Sequence, residues 1–467
     1  MEFISPGQEW PPKSEAERLS MYAANRLLFE GKHREVFKDW IRLLREDQQA
    51  TMEIVLNWNK RLSTLFADLL LGETPRITAG DKGTPEQVAL ERLFEENSLY
   101  LSCYEVALDV SRYGDGIFKV RYDGRGIIEG QPPAVWFPVC KPDNVKDIVA
   151  HVLAWTYEED VQRMLGTKKI KMLKVEIHEK GKITTRKYEI VNDKIRGLVE
   201  DEVVQETGVD DFLIIPVPNL LTTDRSTGLD DYSDLESIIQ EIEARAAQIS
   251  RILDKHSDPN MYGPESALEI DPASGQATFR AGGKYFPIAE GDKEPGYVTW
   301  DGQLEAAFKQ IELLMEQLYT LSETSAAAFG QLKSGLAESG TALRRLMMAP
   351  LAKVNRIRMR FDPALKKVLK LASALEVAQG MRNAVKIEQV HIDWKDGLPE
   401  DYKESTEIES TRYTAGLSSL ESSLRRLDGL EGDALKEEID RIKAAAPQAA
   451  QSPRISLPGA EGQGGGS

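Results

Sequence analysis

Two amphipathic stretches of similar length, separated by a segment that cannot be helical, limit the folds open to this chain. In the first, residues 229–255, Ile238, Ile239, Ile242, Ala246, Ile249, Ile252 and Leu253 recur at three- and four-residue steps, with charges on the other faces. That spacing predicts a helix with one apolar stripe. SDLE at 233–236 reads as a capping box, in which Ser and Glu side chains satisfy backbone N–H groups at the helix start. The second stretch, 302–324, repeats the pattern with Phe308, Ile311, Leu314, Leu318 and Leu321. Each helix would be about 20 residues, roughly 30 Å long. Between them, 256–301 carries HSDPN, DPASG and AGGKYFP, and this Gly/Pro content predicts loop and strand.

Downstream, SAAAFGQLKSGLAE at 325–338 has the small residues and two glycines of a flexible loop, or at best a frayed helix. A basic stretch follows, SGTALRRLMMAPLAKVNRIRMRF at 339–361, with Arg344, Arg345, Lys353, Arg356, Arg358 and Arg360 and no acidic residue. It reads as a helix continuing to about Gln379. Pro350 should kink it, because proline removes one backbone hydrogen bond and its ring crowds the preceding turn. Leu343, Leu346, Met347, Leu351, Val354 and Ile357 form its apolar stripe. The cations lie on several sides rather than one.

Upstream, residues 15–70 are helical in period, with segments 35–45 and 51–71, the latter closed by LGETP. Another helix is predicted over 84–97, continuing through 100–112. The texture then changes. GDGIFKVRYDG at 114–124 alternates like a strand entering a hairpin. Residues 171–178 and 184–191 form a second hairpin around EKGK at 179–182, and FLII at 212–215 reads as a buried strand ending at Pro216. A short strand at 385–394, helices at 401–426 and 432–445, and a linker-like tail from Pro447 complete the chain. The fold class is α+β, mainly helical, with helices first and a mostly antiparallel sheet after.

A length of 467 residues implies several parts rather than one core. Two cysteines, Cys103 and Cys140, argue against a disulfide framework and fit a reducing compartment. The N-terminus lacks the charge and apolar run of a signal peptide, and no stretch has the ~18 apolar residues of a membrane span. With a net charge of −17, non-specific duplex binding is not the expected main activity. Motifs for catalysis are missing. GGK at 282–284 is followed by Tyr285 and lacks the first glycine of a phosphate loop. GDGIFKV at 114–120 lacks the third glycine of a kinase loop. His33, His151, His178, His256 and His391 are scattered away from any nucleophile motif. Asp230, Asp231 and Asp234 suit a helix N-terminus better than a metal, and EDE at 200–202 a solvated turn. No enzyme activity, metal or cofactor is expected.

The order of these parts resembles the portal proteins of tailed bacteriophages, of the type found with long non-contractile tails. NRLLFEGKH at 25–33 and LLLGETPRI at 69–77 are similar to that family's N-terminal region, and YGDGIFKVRYD at 113–123 to its next hairpin. ESGTALRRL at 338–346 resembles the start of its kinked helix; DGLPED at 396–401 and TAGLSSLES at 414–422 resemble its C-terminal region. The resemblance spans most of residues 20–445.

It implies a ring of about twelve copies at one capsid vertex around a channel for double-stranded DNA. Residues 1–228 would be the wing, 229–255 and 302–324 the two stem helices, and 256–301 the clip. Residues 325–338 would be the tunnel loop, 339–401 the kinked helix and wing return, 402–446 the crown and 447–467 a disordered tail. Implied partners are other copies of the chain, passing DNA, a terminase large subunit, a head–tail adaptor, and the major capsid and scaffolding proteins, but no membrane. The protein would reside in the virion after assembly in the host cytoplasm. Glu305, Lys309, Glu312, Glu316 and Glu323 would line the channel. Phe329, Gln331, Lys333 and Glu338 would form the tunnel loop, with Arg344 and Arg345 nearest it as further DNA contacts. The remaining arginines of 339–361 would pair with Asp and Glu of the same or neighbouring copies. A non-viral oligomeric helical scaffold or adaptor is the alternative.

Overall fold

The computed structural model describes residues 4–42, 54–163, 166–257, 261–264, 269–270, 277–278, 285–288, 296–297, 304–331, 340–395, 402–430 and 432–445. They form two compact units, divided in the regions of residues 338–341 and 399.

The larger unit opens with α1 (Ala16–Phe29), α2 (His33–Val36), α3 (Lys38–Ile41) and α4 (Trp58–Leu71). The expected helix at 35–45 is broken at Phe37, whose ring turns inward with Leu28, Ile41 and Tyr232. In α4 the Asn57 side chain accepts from the Lys60 N–H, and Gly72 ends the helix as the sequence predicts. A short strand β1 (Arg76–Thr78) precedes α5 (Pro85–Glu96) and α6 (Leu99–Tyr113). Thr84 caps α5, with Pro85 in its first turn. The single helix expected over 84–112 is thus two, separated where Ser98 adopts φ 46°.

Helix α6 stops at Gly114, at φ 84°. A Cβ there would lie 2.6 Å from the Gly228 carbonyl oxygen, and Gly114 itself accepts from the Asn219 N–H. Gly114→Ala should therefore cost at least about 2 kcal/mol in urea unfolding, combining left-handed strain with a backbone clash. An unchanged midpoint would refute that reading.

The strands that follow are β2 (Asp115–Tyr122), β3 (Gly126–Gln131), β4 (Trp136–Lys141), β5 (Asn144–Arg163), β6 (Gly166–Glu179), β7 (Lys182–Val191), β8 (Lys194–Leu198), β9 (Val203–Glu206), β10 (Ile214–Pro218) and, far along the chain, β16 (His391–Asp393), of which β4 to β8 form a meander. The two expected hairpins are β2–β3 and β6–β7. Strands pair in the order β10-β2-β3 in one sheet and β4-β5-β6-β7-β8 in another, with β9 also on β7. Pro216 lies within β10, which is an edge strand and tolerates a missing donor. Only 391–393 of the expected strand at 385–394 pairs, with β1.

Helix α7 (Glu236–Ser257) and helix α8 (Leu304–Leu321) are the two amphipathic stretches of the sequence. Between them lie β11 (Met261–Pro264), β12 (Glu269–Ile270), β13 (Ala277–Thr278), β14 (Tyr285–Ile288) and β15 (Gly296–Tyr297), with β11 parallel to β14 and antiparallel to β15. The capping box does not form. Ser233 instead donates its N–H and hydroxyl to the Asp230 carboxylate, which also accepts from the Tyr232 N–H, and helical turns begin at Glu236. A three-residue turn offered by Asp230 competes successfully with the cap.

Helix α9 (Gly340–Leu346) and helix α10 (Met348–Ala378) carry the basic stretch. The main core packs α4, α5, α6 and α10 against β10-β2-β3, with Phe66, Leu93, Val106, Phe118, Phe361 and Val368 among its fully buried residues. A second core sits on the six-stranded sheet, where Ile4 and Trp10 of the N-terminal arm cover Phe137, Val152 and Leu173. A third joins Leu62 of α4 to Leu235, Ile239, Ile242 and Leu318. Leu253, Phe308 and Leu321 of the predicted stripes remain about half exposed.

The smaller unit contains α11 (Tyr402–Thr414), α12 (Leu420–Asp428) and α13 (Gly432–Ala445). The helix expected at 401–426 is divided at Gly416, φ 71°. Glu409 accepts two N–H groups of Arg426 at 2.8 Å each across this turn.

Two buried histidines are structural. His151 accepts from the Trp136 indole N–H at 3.0 Å and abuts Phe212, and burial pushes its pKa from 6.5 down to about 3. It folds neutral. Its contribution to stability is therefore complete above pH 6.5, falls as acid protonates the unfolded chain, and is lost below about 3. Burial likewise pushes the His178 ring down. Asp109 and Asp115, raised by burial to about 6, act with the opposite sign over the same range. The difference between wild type and His151→Gln isolates the histidine. Urea midpoints should converge on acidification from pH 6.5 to 4, at up to ~1.4 kcal/mol per pH unit; parallel profiles would contradict a buried neutral ring.

Candidate functional site

The candidate surface is built on α8. Glu305, Lys309, Glu312 and Glu316 follow one another at steps of four, three and four, which puts them on one face of a helix. All four are exposed. The opposite side of the helix carries Leu314 and Leu318 into the third core against Ile238, Ile239 and Ile242 of α7. Three carboxylates and one ammonium therefore stand on a rigid scaffold, facing away from the packed side.

Glu323, assigned to the same row, behaves differently. It lies beyond the end of α8 at φ 57°, about half exposed, and accepts from Arg356 of α10 at 2.6 Å. Ser322 and Thr324 on either side are buried and bonded to each other at 2.7 Å. The helix terminus is thus fastened rather than free.

Of the loop residues, Phe329 ends a 3-10 turn at Ala326–Phe329 and packs its ring 5.2 Å from Trp58 and 5.8 Å from Tyr319. The Tyr319 hydroxyl, whose pKa is raised by burial, donates to the Gln331 side-chain oxygen at 3.2 Å. Lys333 and Glu338 lie outside the described residues. So do most of the insert at 256–301 and the tail from 446. Arg344 and Arg345 are exposed on α9.

The helix break falls at Met347, between α9 and α10. Pro350 stands in the first turn of α10, where a missing N–H costs little. Its i−4 residue is Leu346, the last of α9, so the carbonyl that proline cannot bond is the one at the break. A second proline, Pro363, lies inside α10 and produced no signal in the sequence reading.

The basic stretch is largely spoken for. Lys353 is buried against Asp231 at 2.8 Å, and Arg356 holds Glu323. Arg358 donates to the carbonyls of Leu69 and Lys395 and stacks on Trp394, and Arg360 donates to the carbonyl of Asn219. Of the arginines, Arg356 thus pairs with a carboxylate as expected, while Arg358 and Arg360 also reach carbonyl oxygens.

A family model described as phage portal protein, SPP1 Gp6-like, matches residues 12–452. The chain belongs to this portal family. Among solved structures, one similar chain comes from the "Virion of native gene transfer agent (GTA) particle", at 13% identity and TM-score 0.43, covering 91% of this chain and 96% of that one. No curated protein matches.

Sequence reasoning about this portal-family member missed the buried pair that ties α7 to the N-terminal helices. His33 Nδ1 lies 2.7 Å from Glu243 of α7, and its Nε2 lies 3.1 Å from the Leu28 carbonyl oxygen. Glu243 also accepts from the Leu56 N–H at 2.9 Å. Glu243 stands on α7 among charges that the periodicity assigns to solvent, and nothing local marks it as buried. Among the described residues no group of His, Cys, Asp and Glu is arranged to hold a metal, and no helix is long and apolar enough to cross a membrane.

Proposed function

We propose that this protein forms the ring-shaped channel at one capsid vertex through which double-stranded DNA is packaged and later ejected. About twelve copies would form the ring, in head-to-tail cyclic contact. The α7–α8 pair serves as the stem, 256–301 as the clip facing the terminase and then the head–tail adaptor, 325–338 as the tunnel loop and 402–446 as the crown. The wing comprises 1–228 with the return through 339–401, where capsid and scaffolding proteins would dock. The site of action is the virion, after assembly in the host cytoplasm.

The exposed acidic row on α8 carries this reading. A conduit must guide DNA without gripping it, since each fixed phosphate contact is a barrier to sliding. Glu305, Glu312 and Glu316 repeated around a ring present a repelling wall, and Lys309 alone interrupts it. Salt screens that field over ~8–10 Å, so it acts on a duplex only at close range. The exposed Phe308, Leu313 and Leu321 on the same helix supply apolar contact for neighbouring copies.

Native mass spectrometry and negative-stain microscopy of the purified chain test the proposal. Rings with a central hole wide enough for a duplex are expected. A strict monomer under all assembly conditions would refute it, as would rings that fail to complement DNA packaging.

A further inference from the structure

The α7–α8 pair meets the body at its own apolar cluster, through Leu62 of α4, and α10 takes no part in that cluster. Leu235, Ile239, Ile242 and Leu318 belong to one cluster, while Phe361, Leu365 and Val368 of α10 belong to another. Apolar contact of this kind is non-directional and tolerates sliding. What crosses between α10 and both ends of the pair is one buried cation. Lys353 Nζ lies 2.8 Å from Asp231 Oδ1, just ahead of α7, and 3.5 Å from the Ser322 carbonyl oxygen, just past α8. It also sits 4.1 Å above the Phe66 ring of α4. The Lys353 and Asp231 side chains are each 7% exposed.

Asp231 is itself held in place. Ser111 Oγ donates to it at 2.7 Å and Asn219 Nδ2 at 2.8 Å, while Ser111 and Tyr232 share Ser63 Oγ at 2.9 and 2.7 Å. Five segments of the chain, those of Ser111, Asn219, Asp231, Ser322 and Lys353, thus converge on one ion pair through directional bonds. Arg356 and Glu323 repeat the link one turn along α10, at the surface.

We propose that Lys353 is a positioning residue: its bonds to Asp231 and to the Ser322 carbonyl set the angle at which the α7–α8 pair leaves the body. This rests on the conduit reading, in which that angle decides whether the α8 rows of successive copies close into one wall. The pair acts as a register device rather than as a source of stability. Desolvating two charges offsets most of their attraction, so an uncharged pair of similar shape holds the fold equally well. It does not hold the direction.

The test compares Lys353→Met with Lys353→Met/Asp231→Asn, in which the introduced carboxamide keeps an oxygen and an amide for the Ser111 and Asn219 bonds. Urea midpoints, packaged DNA, and the distance between spin labels are measured. The labels are placed on Gln317→Cys of α8 and Met359→Cys of α10, both exposed positions, in a Cys140→Ser background, with labelled chains diluted among unlabelled ones. The single variant should lose stability, because Asp231 is left buried and charged. The double variant should recover the wild-type midpoint while its distance distribution broadens and its rings lose packaging. A narrow wild-type distribution in the double variant overturns the proposal. So does a midpoint that stays low, which would make the pair plain structural support. The distance measurement reports on the clasp whether or not the rings move DNA, so wild-type rings that package nothing count against the conduit reading alone.

Discussion

Glu376→Ala should lower the stability of the larger unit by about 3 kcal/mol, the low end of the range for stripping one partner from a buried charge pair, because Arg92 is partly exposed and keeps Glu96. Glu376 lies in the last turns of α10 and its side chain is fully buried. One carboxylate oxygen accepts from the Gly126 N–H at 2.8 Å and from Arg92 Nη1 at 3.0 Å; the other accepts from Arg92 Nη2. Alanine leaves the Gly126 amide without its acceptor and takes the two-pronged partner from Arg92, which keeps only Glu96 at 3.0 Å, at the point where α5, α10 and β3 meet. A residue with a Cβ would not fit easily in place of Gly126, since that carbon would lie 3.1 Å from the same carboxylate oxygen. Glu376→Gln retains an acceptor for Gly126 but loses the charge, so its cost should fall between wild type and alanine. Equilibrium urea unfolding checks both. A loss below about 1 kcal/mol for alanine, the scale of a surface pair, would show that the site repairs itself with water.

The same residue shows where sequence legibility ends. Periodicity alone gives Glu376 no partner, since a charged residue on an amphipathic helix is placed in solvent by default. Its role depends on Arg92, nearly three hundred residues away, and no local rule couples them. His33 with Glu243, and Lys353 with Asp231, are hidden for the same reason. Local rules performed well where the cause was local. Gly72 marks a helix end, and the Lys182–Val191 strand follows a turn that its glycine announces.

Errors arose where two local rules competed. Ser233 had a capping partner in Glu236 but found a nearer carboxylate in Asp230. The run 84–112 is apolar at helical steps throughout, yet Asn97 bonds across to the Gly126 carbonyl and the Ile128 N–H, and the chain turns there. Strand β5 escaped because its second half, with Glu158, Glu159 and Asp160, lacks the apolar face that signals a strand. Of those carboxylates, Glu158 meets Lys169 and Glu159 meets Lys187. For the candidate site, the row Glu305–Lys309–Glu312–Glu316 was legible because it depends only on helical spacing. The fastening of Glu323 was not, because it depends on Arg356.

Reversing that row provides the strongest functional test. Glu305→Lys/Glu312→Lys/Glu316→Lys should abolish DNA packaging while leaving chain folding and ring formation intact. All three positions are exposed, and lysine and glutamate have similar helix propensities. Each copy would then present lysine at every position of the row. Around a ring of about twelve, that wall would bind the duplex instead of repelling it. Binding should weaken steeply with added salt, with a log–log slope of about −0.9 for each phosphate engaged. High salt should then partly release the arrested DNA, which a folding defect would not reproduce. The neutral variant Glu305→Gln/Glu312→Gln/Glu316→Gln separates charge repulsion from any specific need for carboxylates. If the wall acts by not holding DNA, glutamine should package within about twofold of wild type, because a neutral face forms no fixed phosphate contact. Packaging assays on rings of confirmed size decide the matter. Normal packaging by the triple-lysine rings would mean that this face of α8 does not meet the DNA, and the channel would have to be assigned to another surface.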